Sequence, residues 1–331
     1  MTVPVLYSVC RTQPHDMFYM VTRPSMTPIF VNPPENLVVI GADVKTDYKG
    51  VGGMNRLLKE LRDQYYFDTY VDLHAVLRTY ILSALCRLRG IKVSRINKGR
   101  RGKRALTRRN NKVMLPLLSS RARYREAFFR AGFPMTEKFE GVYGKDGRAP
   151  FDNIAEITSP KQDGEKWLGI APFAKHKGKI YPLPLMEQVV KEISELGHVR
   201  IFLFGGGDKE QATLRQWAEK YPNTISLAEK RWGFAREMEL MSHLDVMLTM
   251  DSANMHLASL VNVPVVSIWG ATHPYCGFKG WRQKEDLTLQ LPMPCRPCST
   301  FGNKPCYRGD YLCLSGIPPS SVTAKLMPFL T

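Results

Sequence analysis

With 331 residues, 44% of them apolar and 23% charged, the chain has the length of two ordinary domains and the composition of a soluble globular protein. The 47 Lys and Arg against 30 Asp and Glu leave a net charge of +17, which points to polyanionic partners: nucleic acid, an anionic membrane face or phosphorylated substrates. No uncharged apolar stretch approaches the ~18–20 residues of a membrane-spanning helix, the start "MTVPVLYSVCRTQ" lacks a secretory pattern, and seven scattered cysteines do not make a small secreted disulfide framework, so a cytoplasmic chain with reduced thiols is expected.

The predicted elements begin with three short apolar runs, "FYMVT" (18–22), "NLVVIGAD" (36–43) and "FDTYVDLH" (67–74), separated by helical patterns. The basic stretch 97–112 follows, with Lys98, Arg100, Arg101, Lys103, Arg104, Arg108, Arg109 and Lys112 and no acid between them. Such a run is either a solvated loop or a surface for anions. A polar stretch, "ITSPKQDGEK" (157–166), then separates two halves in which strand and helix alternate, and a boundary near residue 160 divides the chain into 1–160 and 161–331.

In the second half, "KWLGIAPF" (166–173), "RIFLFGGG" (200–207), "DVMLTMD" (245–251) and "VPVVSIWG" (263–270) read as buried strands. Between the first two, Leu185, Val189, Ile193 and Leu196 form one apolar stripe that stops at Gly197, the pattern of a packed helix. The alternation predicts an α/β fold with parallel sheets covered by helices. In such sheets, ligands gather where strands end and helices begin.

Three strand ends carry candidate chemistry. Asp251 closes one strand, Ser252 is placed as the N-cap of the next helix, and His256 stacks one turn above it, while Ala253, Leu257, Leu260 and Val261 mark the face expected to pack on the sheet. Exposed amides at such a helix start favour a phosphate, although an ordinary cap with an incidental histidine has the same pattern. A second end offers small residues and then Lys175, Lys177 and Lys179, which suit either a phosphate or solvent. The third is the glycine turn at 205–207, which lacks the full dinucleotide fingerprint.

Near the end, Cys295-x2-Cys298 has metal-ligand spacing, but Cys306 and Cys313 are too far apart for a zinc ribbon, so a zinc site and a loop of reduced thiols both stay open.

Taken together, Asp251-Ser252-Ala253-Asn254-Met255-His256, Val263-Pro264-Val265-Val266 and Trp269-Gly270-Ala271-Thr272 resemble the signature of the heptosyltransferases, the family 9 glycosyltransferases of lipopolysaccharide synthesis. Ala171-Pro172-Phe173-Ala174 with Lys179-Ile180-Tyr181-Pro182 resembles that family's small-residue turn and Lys-x-Trp-Pro element, with Tyr181 in place of Trp. The resemblance implies a GT-B architecture of two Rossmann-like domains with parallel sheets facing a cleft. It implies inverting transfer of heptose from ADP-heptose to the acidic inner core of lipopolysaccharide, with no metal and no cofactor.

By the same resemblance, Ala171, Pro172, Phe173, Lys179, Glu210, Asp251, Ser252, Ala253 and His256 bind the donor, and Lys179 stabilises the departing diphosphate. The family's Gly after Asp-Ser is Ala253 here, and Glu210 is offset by about one position from the family's nucleotide-binding Glu. His74 and Arg78 resemble its acceptor-side element. Arg100 and Arg101 would suit an acceptor carrying carboxylates and phosphates, with peripheral contact to the inner membrane and no role for nucleic acid. Members open with a strand and an R-x-S-x-x-G-D turn whose Asp resembles the base for the acceptor hydroxyl. No Asp precedes Asp16 here, so that base is expected to be missing unless Asp72 or His74 serves. A catalytically inactive nucleotide-sugar or polyanion binder and a transferase using another nucleotide sugar are the competing readings.

Overall fold

β-Branched and aromatic runs bounded by turn residues become parallel strands in the computed structural model, which describes residues 1–331. Two units emerge: residues 1–99 with 118–142, and residues 100–117 with 143–331.

The first unit opens with helix α1 (Thr2–Thr12), whose β-branched sequence is nevertheless helical because Val3, Val5, Leu6, Val9 and Cys10 are all buried; packing overrides propensity here. Strands β1 (Phe18–Thr22) and β2 (Leu37–Gly41) pair in parallel, and helix α2 (Gly50–Gln64) follows. Strand β3 (Thr69–Asp72), helix α3 (Leu77–Leu88) and strand β4 (Lys92–Arg95) form a βαβ unit in which β3 and β4 are parallel. The unit thus holds two separate two-stranded sheets.

Helix α5 (Ser120–Ala131) touches both. The Ser94 hydroxyl of β4 donates to the Ala127 carbonyl at 2.6 Å, and Phe18 of β1 meets Phe128 edge-on. Its start is capped by Ser119 Oγ, which accepts from Ala122 N at 3.1 Å, and Gly132 in the left-handed region ends it.

The second unit contains helix α4 (Arg100–Thr107) and a six-stranded parallel sheet. Strand β5 (Lys166–Ala171), helix α6 (Leu183–Ser194), strand β6 (Val199–Leu203), helix α7 (Asp208–Lys220) and strand β7 (Thr224–Ser226) run to one edge. Helix α8 (Gly233–Met241), strand β8 (Val246–Met250), helix α9 (Ala253–Leu260), strand β9 (Val265–Ile268) and strand β10 (Thr288–Leu289) run to the other. Short helix α10 (Leu312–Ser315) and helix α11 (Pro319–Leu330) follow. The strand order is β10-β9-β8-β5-β6-β7, so the direction of winding reverses between β5 and β8.

All of β8 and β9 is buried, as the continuous apolar runs require of a sheet covered on both faces. On α6, Val189 and Ile193 are buried and Leu185 and Leu196 pack against the same core, while the helix ends at Ser194, before Gly197. Val322, Leu326 and Leu330 of α11 join that core.

The polar stretch before β5 is tied down. Lys161 pairs with Asp245 at 2.8 Å, and Arg200 pairs with Glu165 at 2.8 Å while donating to Thr158 Oγ1 at 2.6 Å. Residues 157–166 therefore belong to the second unit, whose longer segment begins at Tyr143.

Candidate functional site

A parallel sheet whose winding reverses leaves a crevice at the carboxyl ends of the two strands astride the reversal, because the connecting helices leave on opposite faces. Here those strands are β5 and β8. Their last register pair is Ala171 with Thr249, so the turns that follow them start side by side.

The turn after β5 carries Pro172 and Phe173 and leads to Lys179. The turn after β8 carries Asp251 and Ser252. Lys179 Nζ lies 2.8 Å from Asp251 Oδ2 and donates to the Asp251 carbonyl at 3.0 Å. The Asp251 side chain is 4% exposed and that of Lys179 15%. Asp251 Oδ2 makes this ion pair without an aligned hydrogen bond, so the pair is held by charge rather than by direction.

Behind Lys179 stands Gly302, with φ of +75°; a Cβ there would lie 2.6 Å from Lys179 Cγ. Gly178 is equally confined, since a Cβ would meet Ala271 Cβ at 2.9 Å, and its carbonyl accepts from Ala271 N at 2.8 Å. The lysine stem is thus fixed between the β5 turn and the 302 loop.

Ser252 occupies the N-cap position of α9, but its side chain does not cap the helix. Its Oγ lies 3.0 Å from Thr249 Oγ1 instead. The first amides of α9 therefore have no side-chain cap, and the positive end of the helix dipole lies just beyond Asp251. Ala253 is exposed at this tip, contrary to its expected place on the packed face; only Leu257, Leu260 and Val261 of that set are buried. The reason is position: a residue in the first turn projects past the end of the sheet. His256 is partly buried one turn on.

Glu210 lies in the first turn of α7 and accepts from Gly206 N at 2.8 Å, closing the glycine turn. Phe173 packs at the same turn, close to Gly205. Tyr181, which stands where the family pattern has Trp, is fully buried and donates its hydroxyl to the Ile317 carbonyl at 2.7 Å; burial pushes its pKa up to about 12. It secures the loop rather than facing a ligand.

Residues 100–117 also pack on this unit. Lys103 Nζ lies 4.6 Å from the Phe278 ring centre and 5.9 Å from that of Phe301, the neighbour of Gly302. Lys112 Nζ donates to the carbonyls of Cys295 at 2.7 Å and Pro297 at 2.6 Å. Arg100 and Arg101 are exposed on α4.

In the first unit, Asp72 is 1% exposed and fully engaged. Its Oδ1 accepts from His74 N at 2.9 Å and Ala75 N at 2.7 Å, and its Oδ2 pairs with Arg95 at 3.1 Å. His74 is exposed, with a pKa held below the usual value by partial burial and then by Lys98 and Arg78. It does not cap α3; Thr79 Oγ1 does, accepting from Val76 N at 2.9 Å.

All four late cysteines line one narrow cavity with Arg296, and no three His, Cys, Asp or Glu side chains come close enough to hold a metal ion. Arg296 is 3% exposed and donates to the carbonyls of Trp269 and Thr272 at 3.0 Å each, and to those of Gly270 and Leu291.

Arg296, Gly302 and the docking of Lys103 were not identified from the sequence. The cysteines masked the first, a lone glycine gave no signal for the second, and the third depends on contacts with residues 170 or more positions away.

Comparison with known proteins adds a family. The model described as glycosyltransferase family 9 (heptosyltransferase) matches residues 54–304. Two lipooligosaccharide heptosyltransferase 2 proteins of Campylobacter jejuni subsp. jejuni are similar. One is 23% identical over 192 residues, 56% of this chain and 58% of that protein; the other is 24% identical over 183 residues, 54% and 55%. The match spans a little over half the length of these curated relatives.

Among solved structures, the glycosyl transferase family 9 protein from Veillonella parvula superposes with a TM-score of 0.73 at 16% identity, covering 99% of this chain and 92% of that one. E. coli heptosyltransferase WaaC with ADP gives 0.67 at 15%, covering 99% and 95%. E. coli ADP-heptose lps heptosyltransferase II gives 0.65 at 15%, covering 100% and 94%. The likeness establishes the α/β fold of GT-B type.

Proposed function

The chain belongs to glycosyltransferase family 9, the heptosyltransferases, and from that premise we propose that it is an inverting transferase moving heptose from ADP-heptose to the acidic inner core of lipopolysaccharide. The observation that carries this reading is the Lys179–Asp251 pair beside the uncapped start of α9, at the point where the winding of the sheet reverses. In inverting transfer a base takes the proton of the acceptor hydroxyl, its oxygen attacks the anomeric carbon from the face opposite the diphosphate, and the bond to the diphosphate oxygen breaks. The departing ADP then carries the developing negative charge.

Lys179 and the amides beyond Ser252 are the groups suited to that charge, since fixed donors cost no reorganisation when it develops. Asp251 holds Lys179 in place, Ala253 leaves the helix tip accessible, and Ala171, Pro172 and Phe173 let a ligand approach the end of β5. His256 is assigned to the donor diphosphate, and Glu210 to the donor through the glycine turn it closes. The second unit is thereby the donor half. His74 and Arg78 are assigned to the acceptor, together with Arg100 and Arg101, and peripheral contact with the inner membrane completes the proposal.

A second reading is a nucleotide-sugar binder without turnover. It is favoured by one observation: the Asp72 carboxylate is 1% exposed and tied through Oδ1 to its own loop and through Oδ2 to Arg95, a structural placement that does not suit a base for an incoming acceptor. Incubation with ADP-heptose and acidic core acceptor, followed by assay of released ADP and glycosylated product, decides between them. Product formation supports the transferase; tight ADP-heptose binding with no product supports the binder; absence of both removes the donor site.

A further inference from the structure

The basic segment continues into an apolar run that its surroundings do not cover. After Lys112 come Val113, Met114 and Leu115, which are 41%, 43% and 64% exposed. Exposed apolar residues in a frayed loop mean little, but this loop is fastened on both sides. Lys112 is held by two carbonyls, Val113 N donates to the Ala105 carbonyl at 3.2 Å, and Leu117 N donates to the Tyr275 carbonyl at 2.9 Å. The fold therefore spends backbone hydrogen bonds on holding three large apolar side chains toward solvent.

Charge surrounds them. Arg100, Arg101, Arg104, Arg108 and Arg109 are all exposed, and the sequence from 97 to 117 contains no acid to neutralise them. The hydrogen bond from Val113 to Ala105 folds the apolar run back against α4, beside Arg104. Arg109 lies 4.8 Å over the ring of Tyr307, which is 49% exposed. Arginines, a half-exposed aromatic ring and a projecting apolar tip are the ingredients of a segment lying in a lipid interface: the cations meet headgroup phosphates, the ring sits at headgroup level and the apolar tip enters the acyl boundary.

We propose that residues 104–115 dock this protein on an anionic phospholipid bilayer, with Val113, Met114 and Leu115 inserted and Arg104, Arg108 and Arg109 against headgroup phosphates. An acidic protein would need an apolar pocket for Leu115 placed among its carboxylates, whereas a bilayer supplies both without a matching shape, and a nucleic acid would satisfy neither Val113 nor Met114. The proposal gives the peripheral-membrane part of the reading above its residues. It rests on that part alone and not on sugar transfer, so a test without any donor sugar separates the two.

The full chain is sedimented with vesicles of phosphatidylcholine and with vesicles of phosphatidylcholine and phosphatidylglycerol, at low and high salt. Expected are retention only by the anionic vesicles, loss of retention with salt, and about fivefold weaker binding for each arginine neutralised in Arg104→Gln and Arg108→Gln. Leu115→Asp and Met114→Ser, at exposed positions where the melting temperature should not move, are expected to weaken binding even at low salt. In Leu115→Trp, the emission should shift to the blue on anionic vesicles.

No retention by anionic vesicles overturns the proposal. So does retention that Leu115→Asp leaves unchanged, because that would be charge alone, and so does retention by duplex DNA or RNA that equals or exceeds that by vesicles.

Discussion

Lys179 and Asp251, 72 positions apart in sequence, meet as an ion pair of 2.8 Å at adjacent ends of β5 and β8. Removing one member of a buried pair leaves the other uncompensated, at about 3–5 kcal/mol when burial is complete and less where the lysine retains some exposure. Lys179→Ala should lower thermal stability and also raise the Kd for ADP about tenfold or more, as expected when a charge-assisted contact of ~1.5–3 kcal/mol is lost. Asp251→Asn should weaken ADP less, because the carbonyl of residue 251 still orients Lys179. Calorimetry with ADP checks both, and unchanged affinity in both variants would remove the site.

Gly302 provides a test that leaves every charge in place. Gly302→Ala puts a side chain on a residue with φ of +75° and drives its Cβ against the Lys179 stem. The backbone term alone is about 1 kcal/mol. ADP affinity should fall together with stability, whereas Gly309→Ala, also at positive φ but with nothing near its Cβ, should lose stability only. Equal ADP affinity in the two variants would show that the position of Lys179 does not matter.

The loop after β3 should be sensitive to Arg95. Arg95→Ala strands the buried Asp72 carboxylate with two backbone donors, and Arg95 also stacks 4.0 Å over Tyr80. A loss of about 2–4 kcal/mol is expected from denaturant titration. Asp72→Asn should restore part of the loss in the double variant, since an amide needs no counter-charge.

His273 should make the second unit acid-sensitive. Its Nδ1 accepts from Tyr275 N at 3.1 Å, which only the unprotonated ring can do, and burial followed by the charge of Arg296 lowers its pKa to about 4. The unfolded chain binds the proton near pH 6.5, so between the two values unfolding takes up a proton. This contribution is complete above about pH 6.5 and is lost as pH falls toward 4. Discounted for partial exposure, it amounts to ~1–2 kcal/mol. His273→Asn keeps an acceptor for Tyr275 without titrating, and its melting temperature should fall less between pH 6.5 and 4.5 than that of the parent.

Much of the scaffold was legible because strands are written as short apolar or β-branched runs: β1, β2, β3, β5, β8 and β9 fall within segments read from the sequence and β6 starts one residue before its segment, whereas β4, with Lys92, Ser94 and Arg95 in four residues, carries no such run. Strands β7 and β10, of three and two residues, are too short for any periodicity. Helix α1 was not read from the sequence, since the β-branched Val3, Val5 and Val9 weaken its helical signal. At the site, Lys179, Asp251 and Ser252 were legible singly, as residues at strand ends, but their pairings were not. The attachment of residues 100–117 to the second unit was invisible because carbonyls and ring faces, which carry no sequence signature, hold it there.

The embedded guanidinium of Arg296 has a consequence for synthesis. Its acceptors are carbonyls at 269, 270, 272 and 291, and a buried cation without them is costly by several kcal/mol. Until the ribosome has released residue 296, the exit from β9 lacks its fastening, and until α11 has emerged, the faces of β5 and β8 that Val322, Leu326 and Leu330 cover remain open. The nascent second unit is therefore a half-covered sheet while the roughly 60 residues between the end of β9 and the end of α11 are made, several seconds at usual elongation rates. In that interval the apolar faces of β5 and β8 stand open to the association that α11 later prevents.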